Sequence, residues 1–247
     1  MFQDIYTVWL REMIRFVRAR SRIVSSLAMP FFWLIFIGVG FGSSITLPGT
    51  SYIDFLAPGI IGMIILFTSI FSGVSVIWDR QFGFLKEILV APVSRTSIML
   101  GKTLGGSTVA LVSALIMLAV ALAIGLIHPG LGILTAILFM FLTAVCFVSI
   151  GLIIASQMKS TEGFQMIMSF LIMPIFFLSG ALFPMQNTPQ WMQAISHLDP
   201  LSYGVDGIRG SLVGISIFPL WLDFTVLAAL AISFALIGAY LFRKSAL

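Results

Sequence analysis

Residues 55–78 read FLAPGIIGMIILFTSIFSGVSVIW, an apolar stretch without a single charged side chain. A helix needs about 20 mainly apolar residues to cross about 30 Å of bilayer hydrocarbon, and this stretch is longer than that. The core of a soluble protein has no need of so long an apolar run. We therefore predict that residues 55–78 form a membrane-spanning helix.

The composition of the whole chain extends this prediction. Of the 247 residues, 60% are hydrophobic and 9% are charged, and the mean hydropathy is +1.13. An ordinary soluble protein has about 25% charged residues, so these few charges cannot cover a surface that faces water. The expected fold is an all-α membrane protein with six transmembrane helices. The other five predicted spans are residues 23–42, 103–127, 132–155, 166–183 and 221–242.

Positively charged residues indicate the orientation of the chain. Of the 13 Lys and Arg residues, all except Arg209 fall in segments that the six spans place on the same side of the membrane. Loops rich in Lys and Arg stay in the cytoplasm, so we predict cytoplasmic termini for a multi-pass protein of the cell membrane. This asymmetry explains the net charge of +4, and nucleic-acid binding is not needed to account for it.

Residues 1–22 precede the first span and contain an amphipathic helix at residues 4–22, with apolar residues on one face and arginines on the other. Such a helix lies in the headgroup layer of the membrane. We expect Trp9 at the interface and Arg11, Arg15 and Arg18 close to anionic lipids. The helix is either an anchor alone or a lever that also contacts a cytoplasmic partner.

The segment 79–102 is the one long loop on the predicted cytoplasmic side. Phe82, Leu85 and Leu89 share one face of a helix in this loop, and Pro92 ends that helix. A loop in water has no need of so many large apolar side chains. Either the membrane surface or a protein partner covers them.

The segment 184–220 is the long loop on the predicted outer side. Thr188-Pro189 and Asp199-Pro200 each place a capping side chain before a proline, which is typical of a helix start. Asp206 and Arg209 follow at i, i+3, the spacing of an ion pair. The two short helices are expected to dip into the outer membrane interface, as an inert cap or as a gate. The candidate gate residues are Trp191, Tyr203, Asp206 and Arg209.

No pattern in the chain indicates catalysis or metal binding. Gly101-Lys102-Thr103 is similar to the end of a phosphate-binding loop, but Thr96 stands where that motif requires glycine. His128 and His197 fall in outer loops, and the single Cys146 lies within a span. We predict no catalytic residue, no metal ligand and no cofactor in this chain, and no ATP hydrolysis by the chain alone.

The predicted spans also lack ionisable residues near the membrane midplane, where pumps and proton-coupled carriers place them. A path through such spans suits lipophilic or neutral amphipathic cargo, and the energy must come from elsewhere. Because six helices enclose little space, the path is expected between two copies, since symmetric dimers are the commonest assemblies. The candidate path residues are Phe31, Phe32, Phe36, Phe67, Phe71, Phe170, Met173 and Phe177.

Five stretches together resemble a known family. They are LAPGI at 56–60, WDRQFGFLKE at 78–87, APVSR at 91–95, LFP at 182–184 and PLSYGVDGIRG at 200–210. In this order they are similar to the permease subunit of ABC-2 type exporters. The patterns of daunorubicin-type drug exporters and nodulation-type lipo-oligosaccharide exporters are the most similar.

The resemblance implies separate roles for three segments of this chain and for a partner subunit. Residues 4–22 correspond to the connecting helix, residues 80–90 to a coupling helix that docks into a separate P-loop ATPase subunit, and residues 188–213 to re-entrant helices at the exit. ATP and Mg would bind in that partner, and a second copy or a paralogous permease would complete the transporter in its lipid bilayer. The expected coupling residues are Arg80, Phe82, Leu85, Lys86, Glu87 and Leu89.

The function is accordingly expected to be export of a drug, lipid or lipid-linked glycan from the cytoplasm or the inner leaflet. One alternative is a channel or secondary carrier that moves neutral solutes without ATP. A membrane scaffold or assembly factor is another. Association with a cognate ATPase distinguishes the first function from the other two.

Overall fold

The computed structural model describes residues 2–42, 50–82 and 94–244. Within these ranges every regular element is a helix, which confirms the predicted all-α class. The helices are α1 Phe2–Arg18, α2 Arg20–Gly42, α3 Tyr52–Ser72, α4 Val74–Gln81, α5 Arg95–Ala123, α6 Gly132–Gln157, α7 Thr161–Leu178, α8 Gln190–Ser196, α9 Pro200–Leu212 and α10 Leu220–Lys244, with a 3-10 turn Met185–Asn187 before α8.

Long apolar helices make this chain a multi-pass membrane protein. In the described part of the chain, five helices have the length and apolarity to cross a membrane. They are Tyr52–Gln81 (α3 continued by α4), Arg95–Ala123, Gly132–Gln157, Thr161–Leu178 and Leu220–Arg243. The predicted first span corresponds to α2, whose described apolar part, Leu27–Gly40, is shorter. A sixth crossing therefore stays a prediction.

The apolar stretch 55–78 lies at the centre of the bundle. From Phe55 to Leu66 every side chain of α3 is buried, and α3 packs against α2, α5, α6 and α9. The crossing of α3 and α6 depends on two glycines. A Cβ at Gly73 would overlap the carbonyl group of Gly151, and a Cβ at Gly151 would come 2.5 Å from the carbonyl oxygen of Ile70. The two backbones touch here because neither glycine carries a side chain.

Contacts between helix ends define the first end of the bundle, which we call the basic end. Arg80, at the end of α4, donates to the carbonyl oxygen of Met158 after α6 at 3.1 Å. Arg95, at the start of α5, donates to the carbonyl oxygen of Arg243 in α10 at 3.4 Å. The basic end therefore holds α1, the end of α4, the start of α5 and the ends of α6 and α10.

The opposite end, which we call the far end, is closed by α8 and α9. Tyr52 Oη, at the start of α3, donates to the carbonyl oxygen of Leu182 at 2.8 Å. Asp199 caps α9 in the predicted manner, since its side chain accepts from the Leu201 amide at 2.9 Å. Thr188 does not cap α8, because its hydroxyl instead donates to the carbonyl oxygen of Met185.

Several helix bounds differ from the bounds expected of the spans. Helix α5 begins at Arg95, with Ser94 Oγ accepting from the Ser97 amide, so much of the expected loop 79–102 is helical. Apolarity reports the part of a helix within hydrocarbon, whereas the backbone stays helical into the more polar layers. Helix α7 ends at Leu178, short of the expected residue 183, because Gly180 adopts a positive φ of 73°. The expected helix 4–22 is α1, which ends at Arg18.

Candidate functional site

The site at the basic end begins with the contact between α1 and α5. A Cβ at Gly101 would come 2.7 Å from the Cβ of Val8, and one at Gly105 would come 2.9 Å from the Cβ of Glu12. Small residues four positions apart let two helices approach closely. The sequence spacing therefore predicts a close contact, and the structure shows that α1 makes it.

An ion-pair cluster joins α1, α4 and α5 beside this contact. Lys102 Nζ lies 2.6 Å from Asp79 Oδ2, 3.0 Å from Ser75 Oγ and 3.4 Å from Glu12 Oε1. Arg11 binds the same carboxylate, with Nη2 at 2.7 Å from Asp79 Oδ1 and Nη1 at 3.3 Å from Oδ2. Five residues from three helices thus form one network, to which we refer as the ion-pair cluster.

Burial makes this cluster energetically important. The side chains of Lys102 and Asp79 are 1% and 2% exposed. A charge removed from water to this extent persists only when it is paired and hydrogen-bonded. The cluster therefore couples the position of α1 to the positions of α4 and α5.

Asp79 and Lys102 are the site residues that the sequence analysis did not identify. Lys102 appears in the sequence as the lysine of an incomplete phosphate-binding motif, and Asp79 as part of the stretch WDRQFGFLKE, and neither pattern predicts that the two side chains pair. The usable signal was an acid at the end of one span and a base near the start of the next span, both on the same predicted side. Opposite charges so placed tend to pair, since each lies beside hydrocarbon.

The four residues expected in the headgroup layer divide between protein and surface. Trp9 Nε1 donates to Thr108 Oγ1 at 3.1 Å, and Arg11 belongs to the ion-pair cluster, so both face protein. Arg15 is partly exposed and Arg18 is exposed. The difference arises because α1 turns the Trp9 side of its surface toward α5.

Helix α1 presents a second apolar face that the described residues leave uncovered. Its members recur at intervals of three or four residues, so they lie on one side of the helix. They are Phe2, Tyr6, Leu10, Ile14 and Val17, all exposed. This face is available to a membrane surface while the opposite face holds α5.

The predicted coupling residues begin at the end of α4. Arg80 donates to the carbonyl oxygens of Ser156 at 2.9 Å and Met158 at 3.1 Å, so it holds the end of α6. Phe82 is 83% exposed although it is one of the most apolar residue types. The remaining four, Leu85, Lys86, Glu87 and Leu89, lie outside the described residues.

A cavity of about 310 Å³ opens between α2, α3, α5 and α7 and reaches the end of α1; we call it the apolar cavity. Three predicted path residues, Phe67, Phe71 and Met173, line it. Its other walls are apolar except for two hydroxyl groups. These walls are Phe16, Met29, Pro30, Trp33, Met63, Ile64, Thr68, Val109 and Ser113.

The other five predicted path residues lie on the surface of the chain. Phe32 and Phe36 of α2 are exposed and stack with their ring centroids 3.9 Å apart. Helix α7 exposes a second aromatic surface. The remaining exposed members are Phe31 on α2 and Phe170 and Phe177 on α7.

At the far end, the expected ion pair between Asp206 and Arg209 is not formed. Asp206 accepts from the amides of Ile217 and Phe218 at 2.8 and 2.9 Å. Burial raises the pKa of the Asp206 carboxyl above its ordinary value, although these two hydrogen bonds and nearby Arg209 act in the opposite direction. Backbone groups that would otherwise be buried without partners have taken the place of the ion pair.

Arg209 likewise forms its hydrogen bonds with backbone groups. Its guanidinium donates to the carbonyl oxygens of Phe55 at 3.2 Å, Gly180 at 3.0 Å and Ala181 at 3.4 Å, and it lies 3.7 Å from the centre of the Phe55 ring. Arg209 therefore ties α9 to the start of α3 and to the turn after α7.

The two aromatic residues of the predicted gate differ in their surroundings. Tyr203 Oη donates to the carbonyl oxygen of His197 at 2.7 Å, and its ring stacks on Phe218 with centroids 5.6 Å apart. Trp191 is exposed on α8. Tyr203 is thus part of the packed far end, whereas Trp191 faces outward.

Comparison with known proteins identifies the family. The sequence model of the family described as "ABC-2 type transporter" matches residues 3–213. The inner membrane transport permease YadH of Escherichia coli K12 is 29% identical over 94% of this chain and 91% of its own length. Nodulation protein J of Rhizobium leguminosarum bv. viciae is 27% identical over 96% of this chain and 93% of its own length. Because the family match covers most of the described spans, the chain is a membrane transport subunit that belongs to the ABC-2 type transporter family.

Proposed function

We propose that this chain is the transmembrane permease subunit of an ATP-binding-cassette exporter, powered by a separate ATPase subunit. It moves a lipophilic or amphipathic substrate, such as a drug, lipid or lipid-linked glycan, out of the cytoplasm or the inner leaflet. Membership of the ABC-2 family supports a transporter with an ATPase partner in general. The basic end is then the cytoplasmic end, as the distribution of Lys and Arg predicts.

The exposure of Phe82 supports the proposal that the ATPase docks at the end of α4. This side chain is 83% exposed at the end of α4, within the predicted coupling segment 80–90. An exposed aromatic side chain of this size is typical of an anchor in a protein interface. Because α4 also carries Asp79, a force applied to Phe82 reaches α1 and α5 through the ion-pair cluster.

A second copy, either identical or a paralogous permease, completes the proposed transporter. The exposed aromatic surfaces of α2 and α7 support this part, since an apolar surface of this extent is covered by lipid or by another chain. In the proposed arrangement the apolar cavity faces that second copy, and substrate passes between the two. Phe and Met in the cavity walls suit varied apolar cargo because they adapt their packing.

The test is co-purification of the tagged chain with its cognate ATPase from membranes. Phe82→Ala combined with Leu85→Ala should lower the recovered ATPase, since loss of one interface anchor costs about 2 kcal/mol or more. Leu131→Ala is the matched control, because Leu131 is 88% exposed at the far end of the bundle. Both variants should insert into the membrane to the same extent as the parent chain.

Two results would count against the proposed transport function, and a third against its separate ATPase. One is recovery of the ATPase that is identical for the Phe82 and Leu131 variants. The other is solute flux through the purified chain in liposomes without any ATPase, which would favour a channel or secondary carrier. ATP hydrolysis that Lys102→Ala abolished in the purified chain would refute the assignment of hydrolysis to a partner.

A further inference from the structure

A smaller cavity with charged walls lies at the basic end, next to the apolar cavity. The smaller, of about 40 Å³, is lined by residues of α1, α3, α4 and α5 and the Ser72–Val74 junction, including both Glu12 and Arg15. It shares Phe16, Thr68 and Val109 with the apolar cavity. The two cavities are therefore immediate neighbours.

The smaller cavity is lined by one carboxylate, Glu12, and one cation, Arg15, and the ion-pair cluster lies beside it. Taken together, the described side chains of the cavity and the cluster hold three cations (Arg11, Arg15 and Lys102) and two carboxylates (Asp79 and Glu12), which leaves one positive charge in excess. The ion-pair cluster accounts for Arg11 and Lys102, because both lie within 2.7 Å of a carboxylate oxygen. The excess charge therefore resides on Arg15.

Arg15 also has a donor that the chain does not satisfy. Its Nη1 atom is buried and has no hydrogen-bond partner among the described residues, and the nearest carboxylate oxygen, Glu12 Oε1, is 3.9 Å away. The guanidinium lies over the ring of Trp78, 5.5 Å from its centre, which fixes its position beside the cavity. A buried cationic N–H without an acceptor is unfavourable, so the site favours an incoming acceptor, above all an anionic one.

We propose that these cavities bind an amphiphile with an anionic headgroup, a phosphate or a carboxylate. The headgroup meets Arg15 in the smaller cavity, and the hydrocarbon part fills the apolar cavity. The inference rests on the proposed function and narrows its substrate class, because the excess positive charge disfavours cationic amphiphiles. The apolar cavity lies within the lower range of volumes of known ligand pockets, about 300 to 1,000 Å³.

The test is a binding measurement on the full chain in nanodiscs of neutral phosphatidylcholine. The probe is dodecyl phosphate with bromine at the end of its chain, since bromine quenches tryptophan fluorescence on contact. Trp33 lines the apolar cavity, so the probe should quench it in a saturable manner. Trp33→Phe should remove the saturable component and thereby identify its source.

Variants of Arg15 test the headgroup contact. Arg15→Gln should weaken binding of the brominated phosphate by about 10-fold or more, equivalent to about 1.4 kcal/mol, while Arg15→Lys should retain most of the affinity. Uncharged bromododecanol should bind the parent chain and Arg15→Gln alike. Lys159→Gln is the matched control, because it removes the same charge at the basic end from an exposed side chain outside both cavities.

Several outcomes would overturn the inference. The first is an equal loss of affinity for the brominated phosphate in Arg15→Gln and Lys159→Gln. The second is an equal affinity of the parent chain for the brominated phosphate and for bromododecanol. The third is competition by inorganic phosphate that is as strong as competition by unlabelled dodecyl phosphate. Competition by phosphatidylglycerol would identify a bilayer lipid as an occupant, and its absence a free amphiphile; either supports an anionic amphiphile site. No ATPase is present, so failure here is separate from failure of co-purification.

Discussion

The two ends of the bundle satisfy their buried charges in different ways. At the far end, Arg209 donates to three backbone carbonyl oxygens and Asp206 accepts from two backbone amides. At the basic end, Asp79 pairs with side chains from two other helices, Arg11 on α1 and Lys102 on α5. Arg209 and Asp206 at the far end thus bind backbone groups, whereas Asp79 at the basic end binds two cationic side chains.

This difference indicates which end can move. A charge that holds backbone groups must release them whenever the chain rearranges, and each released group then lacks a partner. A carboxylate shared by two cations on separate helices can keep one partner while it releases the other. We therefore expect the far end to keep its conformation. The basic end is expected to move when the proposed ATPase acts on it.

The strongest test of the comparison breaks the ion-pair cluster. Asp79→Leu leaves Lys102 and Arg11 without their shared carboxylate, and loss of one member of a buried pair costs about 3 to 5 kcal/mol. Unfolding of the purified chain in detergent measures the loss of free energy. Amide hydrogen exchange followed by mass spectrometry should show faster exchange in residues 2–18 and unchanged exchange in residues 200–212.

A second substitution separates pairing from simple damage. In Asp79→Leu with Lys102→Met, no lysine is left buried without a partner, so the double variant should recover part of the lost free energy. Additive losses from Asp79→Leu and Lys102→Met would contradict a direct pair. Lys159→Met serves as a control, since its side chain is exposed.

The next test addresses the far end. Arg209→Lys keeps the charge, but one ammonium group cannot reproduce the planar fork that reaches Phe55, Gly180 and Ala181. Leaving one of these buried carbonyl oxygens unsatisfied should cost about 1 to 3 kcal/mol. Hydrogen exchange should accelerate in residues 200–218 and stay unchanged in residues 2–18. Faster exchange at both ends would show that the two regions are one cooperative unit.

Features that depend on local sequence patterns are predictable at both ends of the bundle. Long apolar stretches and the scarcity of charge are sufficient to predict the all-α class, because about 20 consecutive apolar residues are what a membrane-spanning helix requires. The cap at Asp199 was also predictable, since it depends on adjacent residues. Local patterns such as these require no knowledge of distant contacts.

Long-range contacts set the limit of sequence reasoning. The spacing of Asp206 and Arg209 is that of an ion pair on an isolated helix, but each side chain binds backbone groups from other segments. The pairing of Asp79 with Lys102 crosses two helices, so helical periodicity could not reveal it. The hydrogen bond from Trp9 to Thr108 likewise joins residues ninety-nine positions apart, which a helical pattern does not reveal.

The smallest net effect is expected where α1 packs against α5, because a gain in helix propensity offsets part of the loss there. Gly101→Ala and Gly40→Ala make the same chemical change within a helix, so the gain in helix propensity, about 1 kcal/mol, is common to both. They differ in their surroundings: a Cβ at Gly101 would come 2.7 Å from the Cβ of Val8, whereas one at Gly40 would meet nothing within 4 Å. Overpacking costs about 1 to 3 kcal/mol, so Gly101→Ala should be less stable than Gly40→Ala by about that amount.

Because α1 can move outward to relieve the clash, the loss should appear as faster hydrogen exchange in residues 2–18, with the far end unaffected. Equal stability of the two variants, with unchanged exchange in α1, would mean that Val8 does not press on α5.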